Sequence, residues 1–474
     1  MRCTSRVLRV GPAWMALGLA AGCAGMPPKP EPVSLQAQAP LDDGEGGGSW
    51  PAAEWWKAYR DPTLDALEEK ALASSPTLAI AHARFESARQ SVRVASAASG
   101  AQLTANADDS RQRLSDNGLF SPRLLGISWY NQADLGLQAS YTFDWWGKQR
   151  DAVEAAMDEA HASQADRSAA ALMLASSVAD AYFGWQADEA RLALAREREA
   201  TVAREGAVSA ERIRAELDPG DEIQRAESAL AAAREQIASL EGSAKLRVVA
   251  LAALVGSSPG ELPQLHALPL PPVDAALPDD VRIDLIARRA DVTASRWRVE
   301  AAEESRASAR AEFFPDVSVN GLLGVQSVSV STLLEYSSRV PALSAAVHLP
   351  LFDSGRLKAR YGASQAAVDS AAASYRETVV SAARDVATQA STLAQIEAQR
   401  AQRAIEVEAA VKLEASAAAR VRQGVTDTRT ELSAAETLIG QRDALLELDA
   451  AAVSADIGLK RALGGGYERT KQGP

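Results

Sequence analysis

The stretch Gln132-Ala133-Asp134-Leu135-Gly136-Leu137-Gln138-Ala139-Ser140-Tyr141-Thr142-Phe143, followed by Asp144-Trp145-Trp146-Gly147-Lys148, decides the fold. Leu135, Leu137, Ala139, Tyr141 and Phe143 alternate with Asp134, Gln138, Ser140 and Thr142, which is the period of a strand with one apolar and one polar face. From Gly147 to Pro219 there follows a charged, Ala-rich segment of about 70 residues, nearly free of Gly and Pro. At about 1.5 Å per residue it reaches about 100 Å as one helix. No globular core contains such a helix, so a two-faced strand feeding it has to be explained by a different architecture.

The pattern occurs twice. Leu351-Phe352-Asp353-Ser354-Gly355-Arg356 matches Phe143 to Lys148 at a shift of about 208 and opens a second long segment, Gly355 to Gly424. Ala79 to Leu103 recurs as Thr293 to Val317, and Arg212-Ile213-Arg214 as Arg420-Val421-Arg422. The order of the matches, as well as the residues, marks a tandem duplication. Each copy holds two alternating stretches, and strands are expected near 102–113, 132–143, 316–326 and 340–350.

Strands of about ten residues with two unlike faces suit a membrane β-barrel, because each face meets a different solvent. Four sandwich strands would show the same alternation. Phe143, Trp145, Trp146, Phe313, Phe314 and Phe352 favour the membrane, since they gather where strands meet helices and aromatic side chains prefer the membrane interface. Four strands cannot close a barrel, the smallest single-chain barrels having about eight, so several chains must share one. The helical segments 221–255 and 280–312, separated by a Pro-rich interruption, together match the long helix in length. Segment 428–463 stacked on 63–100 matches the second. A long helix beside two half-helices, repeated twice, makes a wall of even height, and copies closing around an axis would make a hollow cylinder.

Composition narrows the function. The chain has 474 residues with 62 acids against 50 bases, a formal charge of -12 that argues against nucleic-acid binding. Two cysteines and four scattered histidines cannot build a disulfide scaffold or a multi-histidine metal centre, and no cofactor is expected. Gly256-Ser257-Ser258-Pro259-Gly260 fits a hydrolase nucleophile pattern, but that motif needs a strand before it and a helix after it. Here a helix precedes and a Pro-rich connection follows, so a helix cap is expected and no catalytic residue is assigned. Arg2, Arg6 and Arg9 precede an apolar run ending at Gly22, which reads as an export signal, too short for a membrane span. The resulting divisions are a signal peptide at 1–22, an N-terminal arm at 23–50, a first repeat at 51–262, a Pro-rich connector at 263–280, a second repeat at 281–466 and a tail at 467–474.

Leu19-Ala20-Ala21-Gly22-Cys23 resembles a bacterial lipobox, whose cysteine is lipidated; an ordinary export signal with an incidental Cys23 is the alternative. Trp55-Trp56-Lys57-Ala58-Tyr59-Arg60-Asp61-Pro62-Thr63-Leu64, Phe143 to Lys148, Leu285 to Val292, Phe313-Phe314-Pro315-Asp316-Val317-Ser318, Leu351 to Arg356 and Leu463-Gly464-Gly465-Gly466-Tyr467 occur in order. With these motifs the chain resembles the TolC-like outer-membrane efflux proteins, specifically their NodT-type lipoprotein branch, over essentially its whole mature length. Ala290 stands where the family usually has Pro.

The resemblance implies a mostly α-helical fold with a β-barrel portion. A homotrimer would place a 12-stranded barrel in the outer membrane and continue it as a periplasmic coiled-coil tunnel, with Cys23 anchored in outer-membrane lipid. It implies passive conduction of drugs or toxic small molecules, through a periplasmic adaptor, from an inner-membrane transporter. The exit duct of a type I protein-secretion system is the alternative within the family, and a non-porous periplasmic scaffold the alternative outside it. Arg422, Gly424, Val425 and Thr426 resemble the family's adaptor-docking turn, with Arg214, Leu217 and Asp218 at the sister tip, where Glu216 replaces the matching Gly; a plain helix cap is the alternative. The Asp and Arg that close the tunnel mouth in relatives are Ser433 and Glu436 here. Arg429 and Glu431, with Asp221, Glu222 and Arg225, are the charged substitutes for a periplasmic gate, and an acidic lining multiplied by three-fold symmetry would favour cations.

Overall fold

The computed structural model describes residues 27–35, 48–117, 121–273, 277–278 and 281–468. The signal segment, Cys23, most of the arm and the end of the tail lie outside the described residues. The chain divides into two compact units. One takes in the described residues of 1–34, 86–162 and 296–374, the other those of 35–85, 163–295 and 375–474.

The first unit carries four strands, β1 (Gln102–Arg113), β2 (Trp129–Phe143), β3 (Asp316–Ser327) and β4 (Arg339–His348), in one antiparallel sheet of order β1-β2-β3-β4. Leu103 pairs with Ala139, Ala139 with Gly321, and Gly321 with Leu343, whereas Gln102, Ser140, Asn320 and Ser344 form the adjoining row. Because side chains alternate, the first row lies on an apolar face and the second on a polar one. β2 begins at Trp129, earlier than its alternation announces, because Trp129 pairs with Arg113 at the end of β1. β4 stops at His348, two residues short of Pro350, which has no N–H for a ladder. Within the single chain Pro341 lies in an edge strand, where a missing N–H is best tolerated.

The helices of eight residues or more are α1 (Pro62–Ser74), α2 (Pro76–Ala98), α3 (Lys148–Arg214), α4 (Glu222–Val255), α5 (Val281–Arg288), α6 (Ala290–Ala311), α7 (Arg356–Arg422) and α8 (Thr428–Ala462). α3 and α7 have 67 residues each, about 100 Å of helix. The duplication is visible where they begin: Asp144 accepts the Gln149 and Arg150 N–H groups, and Asp353 those of Gly355 and Leu357.

Two segments expected to be continuous are broken. Ser75 separates α1 from α2 with ψ 128°, because the residue before Pro76 is pushed out of the helical region. Arg289 separates α5 from α6 without any proline. There the backbone of Gly464 comes so close that a Cβ would lie 2.0 Å from the Arg288 carbonyl oxygen. The Arg289 guanidinium donates to the Ala462 carbonyl at 3.1 Å and pairs with Asp291 at 2.6 Å. The break is therefore imposed by the chain's C-terminal turn. Gly256, with φ 74°, ends α4, and Ser258 caps the following turn, so the Gly-x-Ser-x-Gly stretch terminates a helix.

The second unit buries Trp55, Trp56, Leu64, Leu67, Tyr182 and Phe183 in one cluster with many alanines. Asp61 organises its entrance: it caps α1 through the Thr63 and Leu64 N–H groups, and accepts from the Tyr182 hydroxyl at 2.8 Å and the Gln186 amide at 3.1 Å. Asp61→Ala removes a cap and leaves two buried donors unpaired, so a loss of about 3 kcal/mol is expected. A fall in the thermal midpoint of the detergent-solubilised protein, absent in an exposed control such as Lys57→Ala, would register it.

Candidate functional site

Both hairpin tips are made by the same turn. The Glu216 N–H donates to the Ile213 carbonyl and the Leu217 N–H to that of Arg212. The Gly424 N–H donates to the Val421 carbonyl and the Val425 N–H to that of Arg420. These paired bonds end each long helix in the left-handed region, at φ 56° for Glu216 and 71° for Gly424. The Glu at the first tip therefore leaves the turn's shape unchanged. It adopts that shape at a cost, since a side chain in this region is disfavoured by roughly 1–2 kcal/mol. Glu216→Gly should stabilise the protein by about 1 kcal/mol, read as a rise in thermal midpoint. Leu217 and Val425, equivalent in the two turns, are 65% and 69% exposed. Arg214 pairs with Glu211 within its own helix.

Immediately beside the tips, four charges join the two hairpins. Arg212 grips Asp218 with two bonds of 2.8 and 2.9 Å and reaches Asp427 at 3.2 Å. Arg429 reaches Asp218 at 3.1 Å and Asp427 at 3.2 Å. The Arg212 guanidinium holds the Asp218 carboxyl below its ordinary range, with Arg429 adding to the effect. Asp427 is lowered by the Arg429 N–H that it caps, and then by the guanidinium itself.

The other charged residues singled out at the tips pair differently. Arg225 bonds Asp221 at 3.2 Å and Glu222 at 2.7 Å, inside its own hairpin rather than across to the second. Glu436 pairs with Arg198 at 2.9 Å, the Ser433 carbonyl accepts from Thr437, and Glu431 makes no ion pair among the described residues. Arg212 and Asp427 were missed by sequence reasoning. Asp427 carried a readable signal, an Asp at the helix-capping position just before Thr428.

Above the clasp, α3 and α8 are joined by charged rungs. Arg191 pairs with Asp443 at 2.8 Å and Glu447 at 2.7 Å, and Arg198 with Glu436. The rungs recur seven residues apart on both helices, and the next step brings Glu205 toward Arg429. Burial raises the Glu205 carboxyl, Glu436 adds to the rise, and Arg429 opposes it.

The strand unit gathers the aromatics. Trp146 stacks on Phe314 with ring centres 4.4 Å apart and donates its indole N–H to the Pro315 carbonyl at 3.1 Å. Phe143 stacks on Trp145 at 5.7 Å, and Phe313 meets Tyr361 edge-on. Phe352 is exposed. Within the same unit, carboxylate oxygens of Asp151, Glu154 and Glu304 lie within 4.8 Å of one another. Arg150 pairs with Asp151 there, so part of the charge is balanced. Burial, then Glu300, Glu304 and Glu154, push the neighbouring Asp158 up to about 7.

Residues 67–257 and 282–465 match the family model described as outer membrane efflux protein. The chain is 32% identical over 447 residues to the multidrug resistance outer membrane protein MdtP of Escherichia coli strain K12, covering 93% of this chain and 91% of that protein. It is 30% identical over 465 residues to the putative multidrug resistance outer membrane protein MdtQ of Shigella flexneri, covering 95% and 96%. Among solved structures it is similar to the outer-membrane channel OprN, with a TM-score of 0.83, 25% identity and coverage of 94% and 99%. It is also similar to VceC of Vibrio cholerae, with a TM-score of 0.79, 30% identity and coverage of 88% and 100%.

Proposed function

The chain belongs to the outer membrane efflux protein family, and from that premise we propose that three copies close one barrel in the outer membrane and one periplasmic tunnel beneath it. The assembly passively conducts small toxic compounds, including drugs, handed over by a periplasmic adaptor from an energised inner-membrane pump. The observation that carries this reading is the sheet: one face is apolar and open, with Leu343 82% exposed, and among the described residues neither edge, β1 nor β4, has a partner strand. A lone four-stranded sheet of this kind would aggregate, whereas copies joined edge to edge remove the edges and present the apolar face to lipid. α2 has no buried residue in the single chain, which agrees with neighbours covering it.

The finer assignments follow the same reading. Phe143, Trp145, Trp146, Phe313, Phe314 and Phe352 mark the inner membrane–water boundary of the barrel. Cys23 carries the lipid. Arg310 donates to the Pro27 carbonyl at 3.2 Å and lies over the Phe314 ring, and the Val33 N–H donates to Glu303, so the arm starts beside the strand-end aromatics. The four residue steps from Cys23 to Pro27 can reach at most about 14 Å, enough to place a lipid on Cys23 at the membrane surface. The exposed tips around Leu217 and Val425, with Arg214, Asp218, Arg422, Gly424 and Thr426, dock the adaptor. The gate is the clasp of Arg212, Asp218, Asp427 and Arg429, in place of Asp221, Glu222, Arg225, Glu431, Ser433 and Glu436. Repeats at 51–262 and 281–466 on either side of the 263–280 connector are the domains of this duct.

Planar-bilayer conductance of the full-length protein, with oligomer mass measured in the same detergent, tests the reading. A three-copy particle giving long-lived, low, cation-preferring conductance is expected. A monomer without conductance would overturn it in favour of a periplasmic scaffold.

A further inference from the structure

Charge in the four strands is sorted by face. Their three arginines, Arg111, Arg113 and Arg339, share the apolar face by register parity: Arg113 lies opposite Trp129, Arg111 opposite Asn131, and Arg339 opposite Val325. Asp108 and Asp134 oppose each other on the polar face, and Asp316 shares that face; Asp109 is the one acid on the arginine side. All three arginines also stand at or near the strand ends remote from the long helices, Arg113 being the last residue of β1 and Arg339 the first of β4. Finally, they occupy only the two edge strands. β2 and β3, between them, carry no lysine or arginine.

Guarding an open edge against aggregation accounts for charge on edge strands but not for its sorting by face. Arginine on the lipid side of a barrel is unfavourable at mid-bilayer and tolerated near the interface, where an anionic headgroup turns it into a binding group. Aromatic neighbours complete the setting. The Arg111 guanidinium sits 5.6 Å from the Trp129 ring centre and that of Arg339 lies 4.3 Å from Tyr336. Each guanidinium is thus held over a ring and makes no hydrogen bond or ion pair among the described residues, so its N–H edge can meet an oxyanion. Among the described residues Arg113 pairs with exposed Asp116 at 3.4 Å, a contact of the weak, solvent-screened kind.

We propose that each seam where β1 of one copy meets β4 of the next is a binding site for the phosphorylated headgroup of an outer-leaflet glycolipid, gripped by Arg111, Arg113 and Arg339 while its acyl chains cover the adjoining apolar face. The site rests on the trimeric reading above, because only closure brings the two edges together. Bound lipid would bridge neighbouring copies at the rim and strengthen the assembly at the end of the barrel away from the long helices.

Native mass spectrometry of the full-length protein in detergent counts copies and bound lipids together. With bisphosphorylated lipid A, a three-copy particle retaining up to three lipids is expected, and dephosphorylated lipid A should be lost. The triple variant Arg111→Gln, Arg113→Gln, Arg339→Gln should remain a three-copy particle with at least about tenfold weaker retention, while the corresponding triple Lys variant keeps most of it. Equal retention by wild type and Gln variant, or of the dephosphorylated lipid, overturns the proposal. Displacement by inorganic phosphate at equal concentration also overturns it, since that would mark a simple anion site. A three-copy particle without lipid removes the seam site alone, whereas any other copy number removes both it and the trimeric reading.

Discussion

Replacing Arg212 and Arg429 together by alanine is expected to raise single-channel conductance several-fold. The two guanidiniums are the only cations in the clasp, and each touches both Asp218 and Asp427. Removing one leaves the other able to bridge the hairpins, so single variants should be intermediate. Removing both sets two carboxylates against each other and converts attraction between the hairpin tips into repulsion. The pairs are partly exposed, so high salt should also loosen the mouth of the unmodified protein. Acid should act late: both carboxyls are held below their ordinary value of 3.8, so the clasp persists above it and is lost only as pH falls through the depressed values. With the raised carboxyl beside Arg429 removed by Glu205→Gln, conductance at pH 5 should therefore equal that at pH 7. Arg225→Ala, which breaks bonds inside one hairpin only, is the control expected to change nothing. A double variant indistinguishable from wild type would remove the clasp from the gate.

The second large effect concerns Glu68 on α1. It is fully buried, and neither carboxyl oxygen has a hydrogen-bond partner among the described residues. Burial, with Asp65 nearby, pushes the carboxyl up to about 9 from an ordinary 4.5. In the folded protein it is therefore neutral at pH 7, while the unfolded chain is ionised. A raised folded value means that the stabilising protonation is fully present below pH 4.5 and is lost progressively as pH rises toward 9. The total swing is on the order of several kcal/mol. Glu68→Gln keeps the shape and removes the titration. The thermal midpoint of the variant should exceed that of wild type by several degrees at pH 8 and converge with it near pH 5. Asp158 titrates in both proteins and cancels in the difference. Parallel midpoint curves for the two proteins across this range would show that Glu68 is ionised in the fold.

Much of this architecture is legible in local pattern. Strand alternation in Leu135 to Phe143 and the absence of breakers after Gly147 are one-dimensional signals, and both elements form where those signals place them. The break at Ser75 was equally local, resting on Pro76. The break at Arg289 was not, because its cause is the backbone of Gly464 approaching from far along the chain. The clasp fails to be legible for the same reason. Arg212 and Asp427 are 215 residues apart, and nothing in the neighbourhood of either names the other. Arg225 misled because its partners Asp221 and Glu222 sit within one helical turn, and local pairing wins over pairing across hairpins. The lipid-side arginines lay in plain alternation, but their meaning depends on which strands are edges, which only pairing order reveals.

The rungs between α3 and α8 carry a rule about insertions and deletions. A change of one to six residues in either helix would slide Arg191 and Arg198 off their carboxylates and rotate the contact stripe away from its partner. Removing seven residues from both helices, with matching changes in their hairpin partners, would restore every surviving pair in the original phase. The helix pair can therefore lengthen or shorten only in steps of about 10 Å. A duct of this design has a graduated rather than continuous range of spans with which to meet a periplasm of different depth.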